Sequence, residues 1–227
     1  MANNPLRTSA RHANRWLQRA YRSLMPARWL SPIEAYRKAG GDRLLVADLG
    51  LETSDTVVDF GGYLGDWAAS ILQSYGSIIV IFEPVPEFAF AIRERFKSRD
   101  EVRVIDAAVG LGPGAHRLAA QADSSGLYAI GRSVTVRAVN SQELHDLLPP
   151  RVALASINIE GAEYGLIPQL VDSGLIMRFD RLLIQFHDIL GTSPQDYERC
   201  RELLGRSHCL DWNFEFVWES WSRVERP

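Results

Sequence analysis

The sequence is poor in the residues that staple small folds or bind metals. Its two cysteines, Cys200 and Cys209, stand in no CxxC or Cys/His ligand spacing, which excludes a zinc ribbon and a disulfide framework and suits a reducing cytoplasm. No apolar run reaches the ~18 to 20 residues of a membrane span. No apolar stretch follows the N-terminal arginines as a secretory signal would require, so the expectation is a cytoplasmic chain, neither membrane-spanning nor secreted. Internal repeats and low-complexity tracts are absent. The phosphate-cradling signature GxxxxGKS/T is missing too, and the dinucleotide fingerprint GxGxxG fails because Phe60 stands where its first glycine would fall.

What remains is an ordinary domain-sized chain: 227 residues, 46% hydrophobic and 23% charged, enough to bury a sizeable core. Its net charge of -3 conceals an asymmetry. Of 25 bases and 28 acids, nine and two fall in residues 1–45, which leaves 16 and 26 for residues 46–227. The chain divides into a basic N-terminal helical extension, 1–45, and an acidic body, 46–227. In the extension Arg7, Arg11, Arg15, Arg19 and Arg22 recur at helical spacing around Trp16, Leu17, Tyr21 and Leu24. That amphipathic helix either packs on the body with a solvated basic face, or makes peripheral contact with an anionic membrane surface or substrate, and an Arg-rich, acid-poor start also resembles an organelle transit peptide. The basic residues sit on this arm without stacking platforms on the body, so nucleic acid is not expected as a partner.

From residue 55 short β-branched runs alternate with helical segments: "TVVDF", "GDWAASILQSYG", "SIIVIFE", "PEFAFAIRERFKS", "VRVIDAAVG". This is the βαβ pattern of a parallel sheet covered on both faces, an α/β fold. After Gly110, "HRLAA" and "SVTVRAV" read as extra short strands around the loop Asp123–Gly126, either a flap over a substrate or an ordinary turn. The scheme resumes with the helix "SQELHDLL", the strand "ALASINI", the helix "AEYGLIPQLVDSG", the strand "RLLIQFH" and the helix "SPQDYERCRELLGRS". "CLDWNF" and "EFVWESW" then form an antiparallel hairpin.

The first strand runs into Asp59, Gly61, Gly62 and Gly65, a turn that lets backbone approach a ligand at a helix N-terminus. An acid beside the loop argues against an anionic ligand. The second strand ends in Glu83, 18 residues after Gly65, where a carboxylate can accept from both ribose hydroxyls. Glycine loop and ribose acid without a phosphate anchor point to a nucleoside carrying positive charge, as S-adenosylmethionine does.

The ordered set "VVDFGGYLGDW", "VIFEPVPEF", "DAAVG", "SINIEGAEYGLI", "LLIQFHD" and "FVWESW", spread from about residue 55 to 221, resembles the FkbM-type methyltransferases within the class I S-adenosylmethionine-dependent group. The resemblance implies a Rossmann-like fold: a seven-stranded, mostly parallel sheet with a final antiparallel hairpin and helices on both faces. It implies that residues 46–227 are a methyltransferase domain. Gly61, Gly62, Tyr63 and Gly65 match the loop around the methionine part of the cofactor, with Asp59 near its amino group, Glu83 as the ribose acid, and Asp106 and Ala107 along the adenine. The family often has Asn where Tyr63 stands and Asp where Asn158 stands, departures that bear on the substrate more than on the cofactor. The implied activity is O-methylation of a small-molecule or glycan hydroxyl, such as a sugar in polysaccharide or natural-product biosynthesis. The competing readings are a nicotinamide-dependent oxidoreductase and a non-catalytic S-adenosylmethionine-binding module.

In an open α/β sheet ligands bind beyond the carboxyl ends of the strands, so Asn158 and Glu160 should face His187 and Asp188 there. His187, with an ordinary pKa of about 6.5, suits a general base; Glu160 is either that base or a group that orients the acceptor or the histidine. Glu163, one turn into the next helix, reads as structural or as a support behind the site rather than as catalytic. Asn158, Glu160, His187 and Asp188 could together hold a divalent cation, but no metal is expected.

Overall fold

The apolar runs around Val57–Phe60, Ile79–Phe82, Leu154–Ile157 and Leu182–Ile184 are almost wholly buried, as strands covered on both faces must be. The structure, a computed structural model, describes residues 27–120, 125–126, 132–188 and 194–224; the basic segment over residues 7–24 and the loop positions Asp123 and Ser124 lie outside them. Helices α1 (Ala27–Lys38) and α2 (Gly41–Leu44) come first. Then β1 (Thr56–Phe60), α3 (Asp66–Tyr75), β2 (Ile78–Phe82), α4 (Pro86–Arg95) and β3 (Val102–Ile105) alternate as the periodicity predicts. Strands β4 (Gly114–Ala120), β5 (Ser125–Gly126) and β6 (Arg132–Ala138) make a separate antiparallel sheet. The main scheme returns with α5 (Ser141–Leu147), β7 (Leu154–Ile157), α6 (Glu163–Asp172), β8 (Arg181–Ile184) and α7 (Pro194–Leu204). It closes on the hairpin β9 (His208–Phe214) and β10 (Trp218–Arg223).

The main sheet has seven strands in the order β3-β2-β1-β7-β8-β10-β9. The first five are parallel, and β10 runs antiparallel to both β8 and β9. Alternation sorts the strand residues between two cores. Val58, Phe60, Val80, Phe82, Ala155 and Ile157 pack with Leu166, Leu170 and Leu204 on one face; Val57, Ile79, Ile81 and Leu154 pack with Ile71, Ile92 and Phe96 on the other. Each of these side chains larger than Ala155 contributes ~1.5 to 3 kcal/mol relative to exposure. The second core also takes in Tyr36 and Leu45, so the end of the basic extension packs on the sheet. The Trp67 indole N–H donates to the Leu45 carbonyl at 2.9 Å, and the Tyr75 hydroxyl donates to Val46 O at 2.7 Å, which fixes that segment.

The hairpin is tied to α7 by one buried acid. Glu219, 1% exposed, accepts from the Tyr197 hydroxyl and, at 2.8 Å, from the Trp221 indole. The Arg201 guanidinium lies over both rings. None of the helices among the described residues is long and apolar enough to cross a membrane. Strand order reverses between β1 and β7, and at such a switch point the carboxyl ends of the strands leave a crevice.

Candidate active site

One wall of that crevice is the loop after β1. Gly61 adopts φ 94°, and a Cβ there would lie 2.1 Å from the Asn158 carbonyl, so only glycine lets the β1 and β7 tips meet. Gly62 and Gly65 sit against Ile81 and Phe96. The amides of this loop are turned inward: Gly61 and Gly62 donate to the Phe82 carbonyl (2.9 and 3.3 Å), Gly65 to Gly62 O (2.7 Å), and Tyr63 to Glu83 Oε2 (2.8 Å). Amides so engaged cannot cradle a phosphate. Tyr63 occupies the left-handed region at φ 48°, a conformation costing ~1 to 3 kcal/mol. Its bond to Glu83 and its ring edge-on to Phe88, 4.7 Å away, hold it there.

Glu83, at the tip of β2, is 2% exposed and accepts the Val85 N–H on Oε1 at 2.8 Å. Burial pushes its carboxyl up to about 7; the two amides pull the other way and the Asp106 charge adds to the rise. Asp59, 3% exposed, lies opposite Ser156 in the β1–β7 register and accepts from its hydroxyl. Burial first, then the Glu83 charge, raise it to about 8, with the Ser156 bond opposing. Both acids are therefore poised to titrate near neutral pH. Asp106, half exposed, pairs with Arg93, and Ala107 is buried in the core beside it, 1% exposed.

The other wall is built by β7 and β8. Asn158 donates its amide to the Phe60 carbonyl at 3.0 Å, and its side-chain Oδ1 is buried with no hydrogen-bond partner among the described residues. Glu160, at φ 51°, and Gly161, at φ 101°, then turn the chain sharply into α6. Glu163, 0% exposed, accepts the Gly161 N–H on Oε2 (2.8 Å) and the His187 N–H on Oε1 (2.7 Å). The same Oε1 lies 3.1 Å from His187 Nδ1. The Tyr164 hydroxyl donates to the His187 carbonyl at 2.9 Å, and His187 Nε2 lies 3.6 Å from Glu160 Oε2.

Burial lowers the pKa of His187, but the Glu163 bond and the charges of Glu163 and Glu160 more than offset it, so the imidazole titrates above its ordinary value. Asp188 follows at the same strand end, half-buried; burial raises the Tyr164 phenol, and the Glu163 and Asp188 charges add to the rise.

His187 and Glu160 therefore meet as the strand ends predict, with Asn158 across the β1 tip. Glu163, one turn into α6, stands behind His187 as a supporting group, and the pairing of β7 with β8 is what brings His187 to it. Among the described residues no group of three or more His, Cys, Asp and Glu side chains could hold a metal ion.

Neither a family model nor a curated protein matches this sequence. Solved structures do match. The chain is similar to a candidate rRNA methylase from Clostridium thermocellum at 11% identity, with 78% of this chain and 90% of that one covered and a TM-score of 0.51. It is similar to an rRNA methylase from Streptococcus thermophilus at 10% identity, covering 81% and 95%, with a TM-score of 0.50. At such identities the likeness is one of architecture. The seven-stranded sheet with its terminal antiparallel pair is the Rossmann-like fold of class I S-adenosylmethionine-dependent methyltransferases.

Proposed function

We propose that this chain is an S-adenosylmethionine-dependent O-methyltransferase of the FkbM type, acting in the cytoplasm on a hydroxyl of a small molecule or glycan. The observation that carries the reading is the inward-turned glycine loop beside a wall of hydrogen-bond acceptors. With its amides spent on Phe82, Gly62 and Glu83, the loop suits a nucleoside without phosphate. The acceptors fit the donors of S-adenosylmethionine. Each Glu83 oxygen takes one amide and keeps a lone pair for a ribose hydroxyl, Asn158 Oδ1 is unpartnered among the described residues, and Asp59 is close enough to Glu83 to feel its charge. Gly61, Gly62, Tyr63 and Gly65 would shape the methionine end, and Asp106 and Ala107 the adenine end.

When bound, the cofactor supplies an electrophilic methyl group. The chain's own part is to hold the acceptor hydroxyl in line, which can contribute much of the ~7 to 11 kcal/mol available from proximity. It also takes the hydroxyl proton, for which His187 Nε2, flanked by Glu160, is the group in place. Asp188 adds negative charge at the same strand end.

RNA is the second reading, because two of the structural neighbours are described as a candidate rRNA methylase and an rRNA methylase. The excess of acids over residues 46–227 disfavours a phosphate backbone as partner. Calorimetry followed by transfer from radiolabelled S-adenosylmethionine tests both. S-adenosylhomocysteine should bind and NAD should not, and label should pass to sugars or lipid-linked sugars; label on RNA alone overturns the acceptor, and binding of NAD alone overturns the class.

A further inference from the structure

Among the acids at this end of the sheet, Glu163 is 0% exposed and does not face the crevice in the way Glu160 does. Its carboxylate takes two backbone amides, from Gly161 and His187, and amides can only donate. Both oxygens are thus already engaged as acceptors, and the third contact, Oε1 at 3.1 Å from His187 Nδ1, fits an Nδ1–H that donates to the same carboxyl. The lone pair of the neutral ring is then on Nε2, the nitrogen that faces Glu160 at 3.6 Å, beyond hydrogen-bond length. Backbone bonds hold the ring's root from both sides, the His187 N–H to Glu163 and the Tyr164 hydroxyl to the His187 carbonyl.

We propose that Glu163 is a positioning residue that locks His187 in the Nδ1–H tautomer and so presents Nε2, unprotonated, to the acceptor hydroxyl. The proposal rests on methyl transfer at this site, but its primary readout does not. In the full chain labelled with ¹⁵N-histidine, with the His187 signals assigned by their loss in His187→Gln, the ring is observed above its titration midpoint. Nδ1 should resonate as a protonated nitrogen and Nε2 as an unprotonated one. In Glu163→Gln a carboxamide has a single acceptor oxygen for three donors. The ring should then redistribute toward the Nε2–H form, its midpoint should fall by about one unit or more, and the acid limb of the kcat profile should move down with it while KM for the cofactor stays within about twofold.

A wild-type ring that is mainly Nε2–H overturns the proposal, whether or not the variant folds. An unchanged tautomer and midpoint in Glu163→Gln overturns it too, and reduces Glu163 to a staple between Gly161 and β8. Wild-type protein that shows the Nδ1–H form but transfers no methyl group refutes the methyltransferase reading and leaves the tautomer result standing; active protein with the other tautomer refutes this inference alone.

Discussion

The Tyr63 amide donates to Glu83 Oε2 at 2.8 Å, so one carboxylate ties the loop after β1 to the tip of β2. Ligand hydroxyls that donate to Glu83 favour its ionised form, yet burial raises its pKa to about 7. Binding must therefore strip a proton at lower pH. The affinity for S-adenosylhomocysteine should weaken as pH falls below about 7, approaching tenfold per unit. Calorimetry in buffers of different ionisation enthalpy should show proton release at pH 6. Glu83→Ala should weaken binding at pH 8 by roughly 10- to 100-fold, the worth of hydrogen bonds to a charged group. A dissociation constant that ignores both pH and the substitution would remove Glu83 from the cofactor site.

Asp59 makes a prediction about stability. Its carboxyl is raised to about 8 in the fold, against an ordinary value near 4 in the unfolded chain, so the folded state holds the extra proton between those values. Its contribution is complete below pH ~4 and is lost as pH climbs toward about 8, where the buried group must ionise. Asp59→Asn keeps a partner for the Ser156 hydroxyl and carries no charge. Melting curves without ligand from pH 4.5 to 9 should converge at the acid end and separate at the alkaline end, with the variant higher by roughly 2 to 4 °C for each kcal/mol. Parallel profiles would mean that Asp59 ionises without penalty.

How far these groups could be read in advance depended on what fixed them. β1, β2, α3 and α4 were legible because burial on both faces imposes a period and glycines punctuate it; the aromatic alternation of residues 210–221 marked the hairpin for the same reason. Glu83 was legible as an acid at a strand tip. The Asp59–Ser156 bond was not, since it depends on the parallel register of β1 and β7, which no local pattern encodes. Nothing in the local pattern marks Glu219 as a buried acid, since its partners Tyr197 and Arg201 come from α7. The contact of Tyr36 and Leu45 with the second core was not legible either, because the charge pattern of residues 1–45 says nothing of what its apolar residues pack against.

His187 is the side chain on which the chemistry would turn. Its imidazole titrates above the ordinary value, so turnover should rise with pH through a limb above about 6.5 and then level off. His187→Ala should lower kcat by ~10²- to 10⁴-fold while S-adenosylhomocysteine affinity changes less than about threefold. The same change leaves Glu163 without its ring partner and should cost ~1 to 3 kcal/mol in urea unfolding. A variant that loses stability but keeps its rate would hand the proton to Glu160.

Gly165 offers a test in which two rules disagree. It lies in α6, where alanine ordinarily stabilises by about 1 kcal/mol over glycine. Here, however, a Cβ would come within 2.0 Å of the Gly110 carbonyl oxygen, and Gly110, at φ 74°, would itself place a Cβ 2.2 Å from Ala162 O. Backbone cannot swing aside as a side chain can, so overpacking, typically ~1 to 3 kcal/mol, should outweigh the helical gain. Gly165→Ala should lower the urea midpoint. Because the displaced turn also carries Glu163, it should lower turnover with little effect on cofactor affinity. A raised midpoint would mean that the loop at Gly110 does not approach α6 this closely, and the support it lends to the Glu163–His187 pair would go with it.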